Sequence, residues 1–310
     1  MFRPTRLLLI DDDRLQHRVV QQMVKNFRGA PLELESAETY AAGLKKLLSG
    51  KYAVCLLDYR LGERDGLMLL REALEARCET PIIFLTADTS EEVDLAALES
   101  GASDYLVKNE ITPRLLERAI RYALKLGQTL SQLRQLATHD ELTGISNRRE
   151  FQRALDEEWR RAERFKHPFA LVIADLDHFK LINDTHGHQA GDEVLRHVAS
   201  LLAGQVRTVD RVARHGGEEF ALLMVETDRK QAVEALKRLY ALLAETPCII
   251  PGKNLTIHVT LSAGVAAMPS DASSPAELLA KADKALYAAK KAGRNRIVTA
   301  DGKVVKPVVE

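Results

Sequence analysis

Over its first 125 residues the chain alternates short apolar runs with longer amphipathic stretches. The runs are apolar on both faces, which is typical of strands buried in a parallel sheet. This alternation predicts βαβ units, and therefore a doubly wound α/β domain with a parallel five-stranded sheet. The predicted strands are Leu7–Ile10, Leu32–Ser36, Ala53–Leu57, Pro81–Leu85 and Asp104–Val107. The predicted helices are Arg14–Phe27, Thr39–Leu48, Leu67–Glu75 and Glu91–Ser100.

A stretch without strand signals or internal proline follows, from Pro113 to about Thr138. Apolar or small residues recur along it at spacings of three and four, as in a coiled-coil seam of about three heptads. We expect a connector helix over residues 113–138 that pairs with its copy in a dimer. The alternative is a helix that lies on its own domain. The seam residues are Leu116, Ala119, Ala123, Leu126, Leu130, Leu133 and Ala137.

The remainder of the chain mixes strands and helices in an order that predicts an α+β domain with a mixed central sheet. The predicted strands are Phe169–Ala174, Arg211–His215, Phe220–Val225 and Thr256–Ala267. The predicted helices are Arg149–Phe165, Ala190–Gly204, Arg229–Ala244 and Pro275–Ala292. We therefore expect a first domain at residues 1–125, a second at 139–300, and a loose tail at 301–310.

The composition excludes several classes of protein. Lysine plus arginine number 44 and aspartate plus glutamate also number 44, so no basic field draws the chain to nucleic acid or to a membrane. The 3 cysteines are widely spaced, without a Cys-x-x-Cys pair, which argues against a disulfide framework or a zinc ribbon. The N-terminus has no apolar run long enough for a signal peptide or a membrane span. We expect a cytoplasmic protein.

Charged and hydroxyl side chains stand where four predicted strands of the first domain end. Asp11 and Asp12 follow the first strand, and Asp58, Thr86 and Lys108 end the third, fourth and fifth. Ligands collect outside the carboxyl ends of strands in an open α/β sheet, so these side chains are expected to converge. Three carboxylates together create a divalent-cation site, and a lysine can pair with a phosphoryl oxygen or an aspartate.

The segments that carry these residues read LLIDDD, LLDYRL, FLTA and GASDYLVK. Over residues 5–125 the chain resembles the receiver domain of two-component response regulators. The resemblance implies that Asp58 accepts a phosphoryl group from a sensor histidine kinase, and that Asp11 and Asp12 hold Mg²⁺ with it. It assigns phosphoryl binding and switching to Thr86, Lys108 and Tyr105. Gly62 and Asn109 stand where the family commonly has proline, which affects loop stiffness but removes no reactive group.

The second domain carries the segment Gly216-Gly217-Glu218-Glu219-Phe220 between two strand-like runs, so it reads as the turn of a β-hairpin. Two glycines let backbone approach a ligand closely. Two carboxylates at one tip repel each other unless a cation holds them, and oxygen ligands favour Mg²⁺ shared with phosphates. Asp175, at the end of another predicted strand, would complete a metal site with Glu218. Lys290 and Arg294 lie four apart on one helical face and suit the outer phosphates of a nucleotide.

Over about residues 138–300, including DELTGISNRR at positions 140–149, the chain resembles the GGDEF domain of diguanylate cyclases. The resemblance implies a cation site, for Mg²⁺ with Mn²⁺ as the alternative ion, built from Asp175, the Leu176 carbonyl and Glu218. Glu219 lies beside it, and Glu218 either ligates the ion or assists deprotonation. The substrate-binding residues that the resemblance implies are Lys180, Asn183, Asp192, Gly216, Gly217, Lys290 and Arg294.

The implied reaction joins two GTP molecules into cyclic di-GMP, with release of two pyrophosphates, across a twofold contact between two domains of a homodimer. Asp192 favours GTP, because a carboxylate accepts from both N1–H and the exocyclic amine of guanine, and adenine would leave it unpaired. Two departures stand out: His186 replaces an aromatic residue of the family, and His215 replaces its usual tyrosine.

Arg207-Thr208-Val209-Asp210 lies a few residues before the glycine pair. An isolated Arg-x-x-Asp is a common surface pair, but at this offset it resembles the family's inhibitory site, where the product binds. Arg238 on a neighbouring predicted helix would add a guanidinium to the same product molecule. The resemblance therefore implies product inhibition.

Two alternatives stay open at this point. One is a catalytically silent GGDEF domain that senses GTP or cyclic di-GMP, against which the intact acidic and basic residues count. The other is a DNA-binding response regulator, which lacks the basic recognition helix that such a protein needs.

Overall fold

The computed structural model describes residues 4–25, 27, 31–62, 64–87 and 100–306. The chain divides into two compact units, Met1–Leu133 and Arg134–Glu310. We describe each unit by itself. Within the described residues, no helix is both long enough and apolar enough to cross a bilayer. The domain boundaries expected from the sequence, 1–125 and 139–300, stay a prediction.

The first unit is built on a parallel five-stranded sheet, in the order β2-β1-β3-β6-β7. Its strands are β1 (Thr5–Ile10), β2 (Leu32–Ala37), β3 (Val54–Asp58), β4 (Arg60–Leu61), β5 (Arg64–Asp65), β6 (Ile82–Thr86) and β7 (Asp104–Val107), of which β4 and β5 form a separate small hairpin. Its helices are α1 (Arg14–Lys25), α2 (Tyr40–Leu47), α3 (Gly66–Glu75) and α4 (Pro113–Thr138), the last of which runs on into the second unit. The predicted helix Glu91–Ser100 lies, except for Ser100, outside the described residues.

Both faces of this sheet are buried, as the two-sided apolar runs predict. Leu8 and Ile10 pack in one apolar cluster with residues of α2 and α3. Leu7 and Leu9 point to the other face and pack with residues of α1 and α4. Because successive side chains of a strand alternate between faces, helices must cover both sides of β1. The predicted doubly wound fold is confirmed.

Helix α4 is buried in its first half only. Leu116, Ala119 and Ala123 of the predicted seam lie in the core of the first unit. Leu130 and Leu133, further along, are exposed. The expected pairing along the whole seam is therefore wrong for its first half, where the alternative of a helix on its own domain holds. Spacings of three and four fit packing against a sheet as well as packing against a second helix.

The second unit contains a mixed seven-stranded sheet, in the order β16-β15-β14-β9-β11-β10-β8. The strands are β8 (Ser146–Asn147), β9 (Phe169–Leu176), β10 (Arg211–Gly216), β11 (Glu219–Val225), β12 (Cys248–Ile250), β13 (Leu255–Ile257), β14 (Leu261–Met268), β15 (Arg296–Thr299) and β16 (Val304–Val305), with β12 and β13 paired apart from the main sheet. The helices are α5 (Arg148–Phe165), α6 (Phe179–His186), α7 (His188–Gln205), α8 (Arg229–Glu245) and α9 (Pro275–Lys291).

Strand β9 lies in the middle of this sheet and is buried along its whole length. One set of alternating side chains, with Val172 at its centre, packs under α7 and α8. The other set, with Leu171, packs under α5 and α9. Gly264 of β14 lets the backbone of α9 approach the sheet, since a Cβ there would lie 2.1 Å from the carbonyl oxygen of Ala282 in α9. The expected mixed central sheet is confirmed.

Two sequence-based expectations for this unit are wrong, and several of its short elements were not predicted. The single strand predicted at Thr256–Ala267 is two strands, β13 and β14, because the chain changes sheet between them. Residues 301–310 are not wholly a loose tail, since Val304–Val305 pairs with β15. Helix α6 was not predicted, because its eight residues are mostly polar and show too little apolar periodicity.

Candidate functional site

The carboxyl ends of β1, β3 and β7 bring together the charged groups that the sequence places there. The Nζ atom of Lys108 lies 2.9 Å from Oδ2 of Asp11 and 2.9 Å from Oδ2 of Asp58. Both carboxylates are almost fully buried. One ammonium group thus compensates two buried negative charges, which would otherwise be very costly to desolvate.

The pKa values in this cluster follow from burial and from the neighbouring charges. Burial raises the pKa of Asp58, and the charge of Asp11 adds to the rise, although Lys108 opposes it. Burial acts to lower the pKa of Lys108, but its two carboxylate partners outweigh this and the pKa is raised. Lys108 therefore carries its positive charge at neutral pH.

Asp12 adds an exposed carboxylate to this cluster. Oxygens of Asp11, Asp12 and Asp58 all lie within 4.8 Å of one another. Oδ2 of Asp12 accepts a hydrogen bond of 3.1 Å from the backbone N–H of Gly62, which fixes its direction. Three hard oxygen donors at this spacing fit a divalent cation such as Mg²⁺. We call this group, with Lys108, the strand-end site.

The two remaining residues of the predicted set lie close along the same sheet. Thr86 is buried at the end of β6. Tyr105 of β7 stands opposite Phe84 of β6 and is half-buried against the apolar cluster under α2 and α3. Their switching roles stay a prediction.

In the second unit, β9 and β11 place Asp175 beside the glutamates of the hairpin. The antiparallel register sets Asp175 opposite Glu219, and the N–H of Leu176 donates to the carbonyl of Glu218 at 3.2 Å. Opposite residues in such a pair have Cα atoms about 5 Å apart. Acidic side chains from segments more than 40 residues apart in sequence therefore share one site.

A lysine compensates the acid at the strand end here as well. Nζ of Lys290, near the end of α9, lies 2.7 Å from Oδ2 of Asp175. Burial raises the pKa of Asp175; Lys290 opposes the rise, and Glu218 and Glu219 add to it. The group therefore holds more negative charge than one lysine neutralises. We call these four residues the hairpin site.

The acidic side chains of the hairpin site are less tightly grouped than those of the strand-end site. Within the described part of the chain, Asp11, Asp12 and Asp58 are the one set of three acidic ligands within 4.8 Å. Mg²⁺ is commonly held by one or two carboxylates together with phosphate oxygens. Asp175, the Leu176 carbonyl and Glu218 are a donor set of that kind, so they fit such an ion.

The role of Asp177 was missed from the sequence. This buried carboxylate accepts from the hydroxyls of Thr260 and Ser262, at 2.7 Å each, and from the N–H of Asn295 at 2.9 Å. It ties the end of β9 to the turn after α9, where Gly293, Arg294 and Asn295 all have positive φ angles. Asp177 is thus fully engaged and positions the segment that carries Arg294.

A second contact network, also missed from the sequence, holds the hairpin turn. Arg214 donates to both carboxylate oxygens of Asp140, at 3.1 and 3.2 Å, and through Nε to the carbonyl of Gly217 at 2.9 Å. Asp140 also accepts from the N–H and hydroxyl of Thr143. We call the Asp140–Arg214–Gly217 contacts the hairpin brace. A basic residue two positions before the glycine pair and an acid near the start of the domain are the only signal for it in the sequence.

The junction of α6 and α7 carries the residues expected to bind a base. Gly191 leaves room there for the side chain of Asn183, because a Cβ at that position would lie 1.9 Å from Oδ1 of Asn183. Asp192 follows on α7 and is half-buried, and Lys180 in the first turn of α6 is exposed. The amide and the carboxylate therefore lie on two helices that are packed tightly together.

The turn at residues 207–210 is held by its own ends. Arg207 forms hydrogen bonds to Asp210 through Nε at 3.2 Å and Nη2 at 3.1 Å, and through Nη2 to the carbonyl of Val225 and the hydroxyl of Thr227. Asp210 is buried and also accepts from the N–H of Val225. The spacing of this pair alone indicates a surface ion pair, but Arg207 and Asp210 also bind other groups, and Asp210 is buried. Arg238 is exposed on α8.

Comparison with known proteins finds two families in the chain. The protein-family model described as diguanylate cyclase, GGDEF domain, matches residues 137–296, and the response regulator receiver domain model matches residues 7–121. The chain is 33% identical over 302 residues to the response regulator PleD of Caulobacter vibrioides, which covers 94% of this chain. The chain spans 65% of the length of that relative.

Two solved structures from Caulobacter crescentus are similar to part of the chain. The coiled coil and GGDEF domain of DgcB, in complex with c-di-GMP, is 32% identical with a TM-score of 0.56, over 60% of this chain and 97% of that chain. The GGDEF domain of DgcB, in complex with c-di-GMP, is 35% identical with a TM-score of 0.51, over 54% of this chain and 94% of that chain.

Proposed function

We propose that this chain, which belongs to the GGDEF family of diguanylate cyclases and carries a response regulator receiver domain, condenses two GTP molecules into cyclic di-GMP and two pyrophosphates. The observation that carries the proposal is the hairpin site. There Asp175, Glu218 and Lys290 combine two acids suited to a cation with a base suited to phosphate, beside a turn of two glycines. The two DgcB structures in complex with c-di-GMP support the same ligand class.

The residues of the hairpin site have distinct tasks in this reaction. Asp175, the Leu176 carbonyl and Glu218 would hold Mg²⁺ or Mn²⁺, which lowers the pKa of the attacking 3′-hydroxyl and neutralises charge on the α-phosphate. Lys290 pairs with Asp175 at 2.7 Å before substrate binds. Arg294 would bind the outer phosphates with Lys290, although the prediction of one shared helical face is wrong: α9 ends at Lys291, and Arg294 lies in the following turn with a positive φ angle. Glu219 would stand beside the hydroxyl as a proton acceptor.

Guanine recognition would come from the α6–α7 junction. The close packing of Asn183 on Gly191 fixes the amide, and Asp192 follows on the same helix as that glycine. A fixed carboxylate that accepts two hydrogen bonds from guanine would be left unpaired by adenine, so we expect GTP to be preferred over ATP. Lys180 would contact a phosphate.

Each domain would bind one GTP, so the reaction requires two copies of the chain in twofold contact. The second half of α4 offers the exposed apolar residues Leu130, Leu133 and Leu136 for pairing with a second copy. The DgcB structure that includes a coiled coil supports this arrangement. A homodimer paired through the later heptads is the proposal that replaces pairing along the whole seam.

The strand-end site would control the cyclase through phosphorylation. Asp58 is the carboxylate beside both the cation-binding oxygens and Lys108, so it would accept the phosphoryl group from a sensor histidine kinase. Lys108 and Thr86 would then bind the new phosphoryl oxygens, and Tyr105 would respond by moving inward. These changes would alter how two copies pair, and so how the two GTP half-sites meet.

Product inhibition would use the turn at residues 207–210. One edge of the Arg207 guanidinium is bound to Asp210, Val225 and Thr227, and within the described part of the chain its Nη1 makes no hydrogen bond. An anchored guanidinium with a free edge suits a phosphate or a guanine base. Arg238 would contribute a second cation to the same cyclic di-GMP.

Incubation of the purified chain with GTP and Mg²⁺, followed by mass analysis of the products, tests the proposal. We expect the linear intermediate pppGpG and cyclic di-GMP. Bound but unchanged GTP would support a silent GGDEF sensor and overturn the cyclase. The same assay with and without acetyl phosphate tests control, because Asp58→Asn should remove any response to the phosphoryl donor while the basal rate stays.

A further inference from the structure

We infer that Arg211 is a positioning residue for the 207–210 turn, and thereby sets the affinity for cyclic di-GMP. The inference rests on the product inhibition proposed above. Nη1 of Arg211 lies 3.1 Å from the carbonyl oxygen of Thr208, 3.3 Å from that of Val209 and 2.9 Å from that of Asp210. One guanidinium nitrogen thus faces three successive carbonyls of the turn.

Arg211 reaches the turn from the side opposite to Asp210. In β10, Val212 packs into the core under α7 and α8, whereas Ala213 packs into the core under α5 and α9. Because strand residues alternate between faces, Arg211 lies on the same face as Ala213. Two glutamates of that face, Glu150 and Glu158 of α5, attract its charge.

The opposite side of the turn is held by the contacts of Arg207. Its guanidinium binds the Asp210 carboxylate, and the N–H of Asp210 donates to the carbonyl of Arg207 at 2.9 Å. These contacts close the two ends of the turn but do not reach the carbonyls of Thr208 and Val209. Arg211 supplies the contact to those carbonyls, so the two arginines together fix all the peptide units of the turn.

The chemistry of the ligand explains why this should affect binding. Cyclic di-GMP carries two phosphodiester charges, which the exposed Nη1 edge of Arg207 would meet, while the three carbonyl oxygens of the turn are directed at Arg211 on the other side. Arg211 holds the peptide units in the orientation that leaves the Nη1 edge of Arg207 exposed. A hydrogen bond from a charged donor stabilises the arrangement of its acceptors, so the loss of this contact should loosen the turn.

Calorimetric titration of the full chain with cyclic di-GMP tests the inference. For Arg211→Leu we expect the dissociation constant to rise about tenfold, the effect of roughly one charged hydrogen bond. Arg211→Lys keeps the charge and part of the contact, so its constant should lie between those of Arg211→Leu and the wild type. Arg196→Leu, which removes an exposed arginine paired only with Glu193 in the described structure, should match the wild type.

The Michaelis constant for GTP separates positioning from general damage. We expect it to change less than about twofold in Arg211→Leu, because the contact lies in the turn and not in the hairpin site. Equal losses in GTP and product affinity would show a merely structural role and overturn the inference, as would wild-type product affinity in Arg211→Leu. If Arg207→Ala also binds product as the wild type does, the product site and the inference fall together.

Discussion

The strand-end site and the hairpin site both bring acidic side chains together, but the backbone that presents those side chains differs between the two sites. In both, an aspartate at the carboxyl end of a strand pairs with a lysine from another element, Asp58 with Lys108 at 2.9 Å and Asp175 with Lys290 at 2.7 Å. At the strand-end site the other acids come from the end of the adjacent parallel strand. At the hairpin site they come from the turn of an antiparallel neighbour.

This difference decides how complete each cation site is within one domain. Parallel strands end side by side, so their first loop residues converge without further help, and three carboxylates come within 4.8 Å. A hairpin turn instead projects beyond its partner strand and keeps its acids further apart. We propose that the strand-end site binds a cation without a substrate, whereas the hairpin site needs the phosphates of its substrate to complete the coordination.

The largest expected effect is on the cyclase rate, when an acidic side chain of the hairpin site loses its charge. Glu218→Gln keeps the size of the side chain but removes the charge that would hold the catalytic cation. We expect the initial rate of cyclic di-GMP formation at saturating GTP to fall at least about a thousandfold, the scale of losing a central electrostatic group. Glu234→Gln, an exposed glutamate of α8 that pairs with Lys237, is the matched control and should keep the wild-type rate.

A rate for Glu218→Gln within about tenfold of the wild type would contradict this role, because losing a central electrostatic group costs about a hundredfold or more. Cation binding at the strand-end site should be the same in both variants.

The next prediction tests whether the strand-end site, but not the hairpin site, binds a cation in the absence of substrate. Titration with Mg²⁺ in the absence of nucleotide should show one ion per chain, bound at the strand-end site. Asp12→Asn should weaken that binding about a hundredfold, the upper scale for perturbing a metal shell. Asp175→Asn should leave it unchanged. Two ions of similar affinity, or a loss of binding in Asp175→Asn, would remove the distinction between the sites.

A smaller effect concerns the hairpin brace, which holds the hairpin turn and has no part in the strand-end site. Arg214→Lys cannot bind both oxygens of Asp140 and the Gly217 carbonyl in the fork geometry of a guanidinium. We expect cyclase turnover to fall about tenfold, since one or two charged hydrogen bonds are lost.

A double-mutant cycle measures whether the brace acts as a unit. If it does, Asp140→Asn combined with Arg214→Lys should be no slower than the slower single variant. Additive losses would show that Arg214 and Asp140 act separately and that no brace exists.

The strand ends of the first unit were predictable because a periodic pattern locates them and a topological rule brings them together. No knowledge of side-chain directions was needed to predict that Asp11, Asp58 and Lys108 lie together. The brace was not predictable in this way. Its bonds join Asp140 to Arg214, 74 residues away, and exist only because the register of the hairpin turns that arginine toward the start of the domain.

The same limit applies to Asp177 and to helix α4. The hydrogen bond of Asp177 to Asn295 spans 118 residues and depends on a turn with three positive φ angles. Helix α4 was predicted with the bounds that it has, Pro113–Thr138, but its burial was not, since one periodicity serves two packing partners. Local pattern predicts elements, whereas the choice of neighbour depends on the tertiary structure.

The smallest effect is a loss of stability in acid that His215, in the hairpin region, should cause. His215 of β10 is buried, its Nδ1 has no hydrogen-bond partner in the described structure, and its ring meets Phe151 edge-on. Burial lowers its pKa below the usual 6.5, and the charge of Arg148 adds to this, while Asp283 and Glu219 oppose it. The folded state therefore resists a proton that the unfolded state accepts.

The direction of the change in stability with pH follows from this lowered pKa. Above pH 6.5 both states are neutral at this residue and no dependence arises; as the pH falls below 6.5 toward the folded pKa, the folded state loses stability relative to the unfolded state. His215→Phe should remove that loss, which cannot exceed about 1.4 kcal/mol per pH unit. The single tryptophan, Trp159, packs in the same core as Phe151, so its fluorescence during urea unfolding reports on this unit. Parallel stability curves for the wild type and His215→Phe between about pH 5 and 8 would show that the histidine is not held neutral by its surroundings. The hairpin region would then lose its contrast with the strand-end site, where burial raises the pKa of Asp58 and acid stabilises the folded state instead.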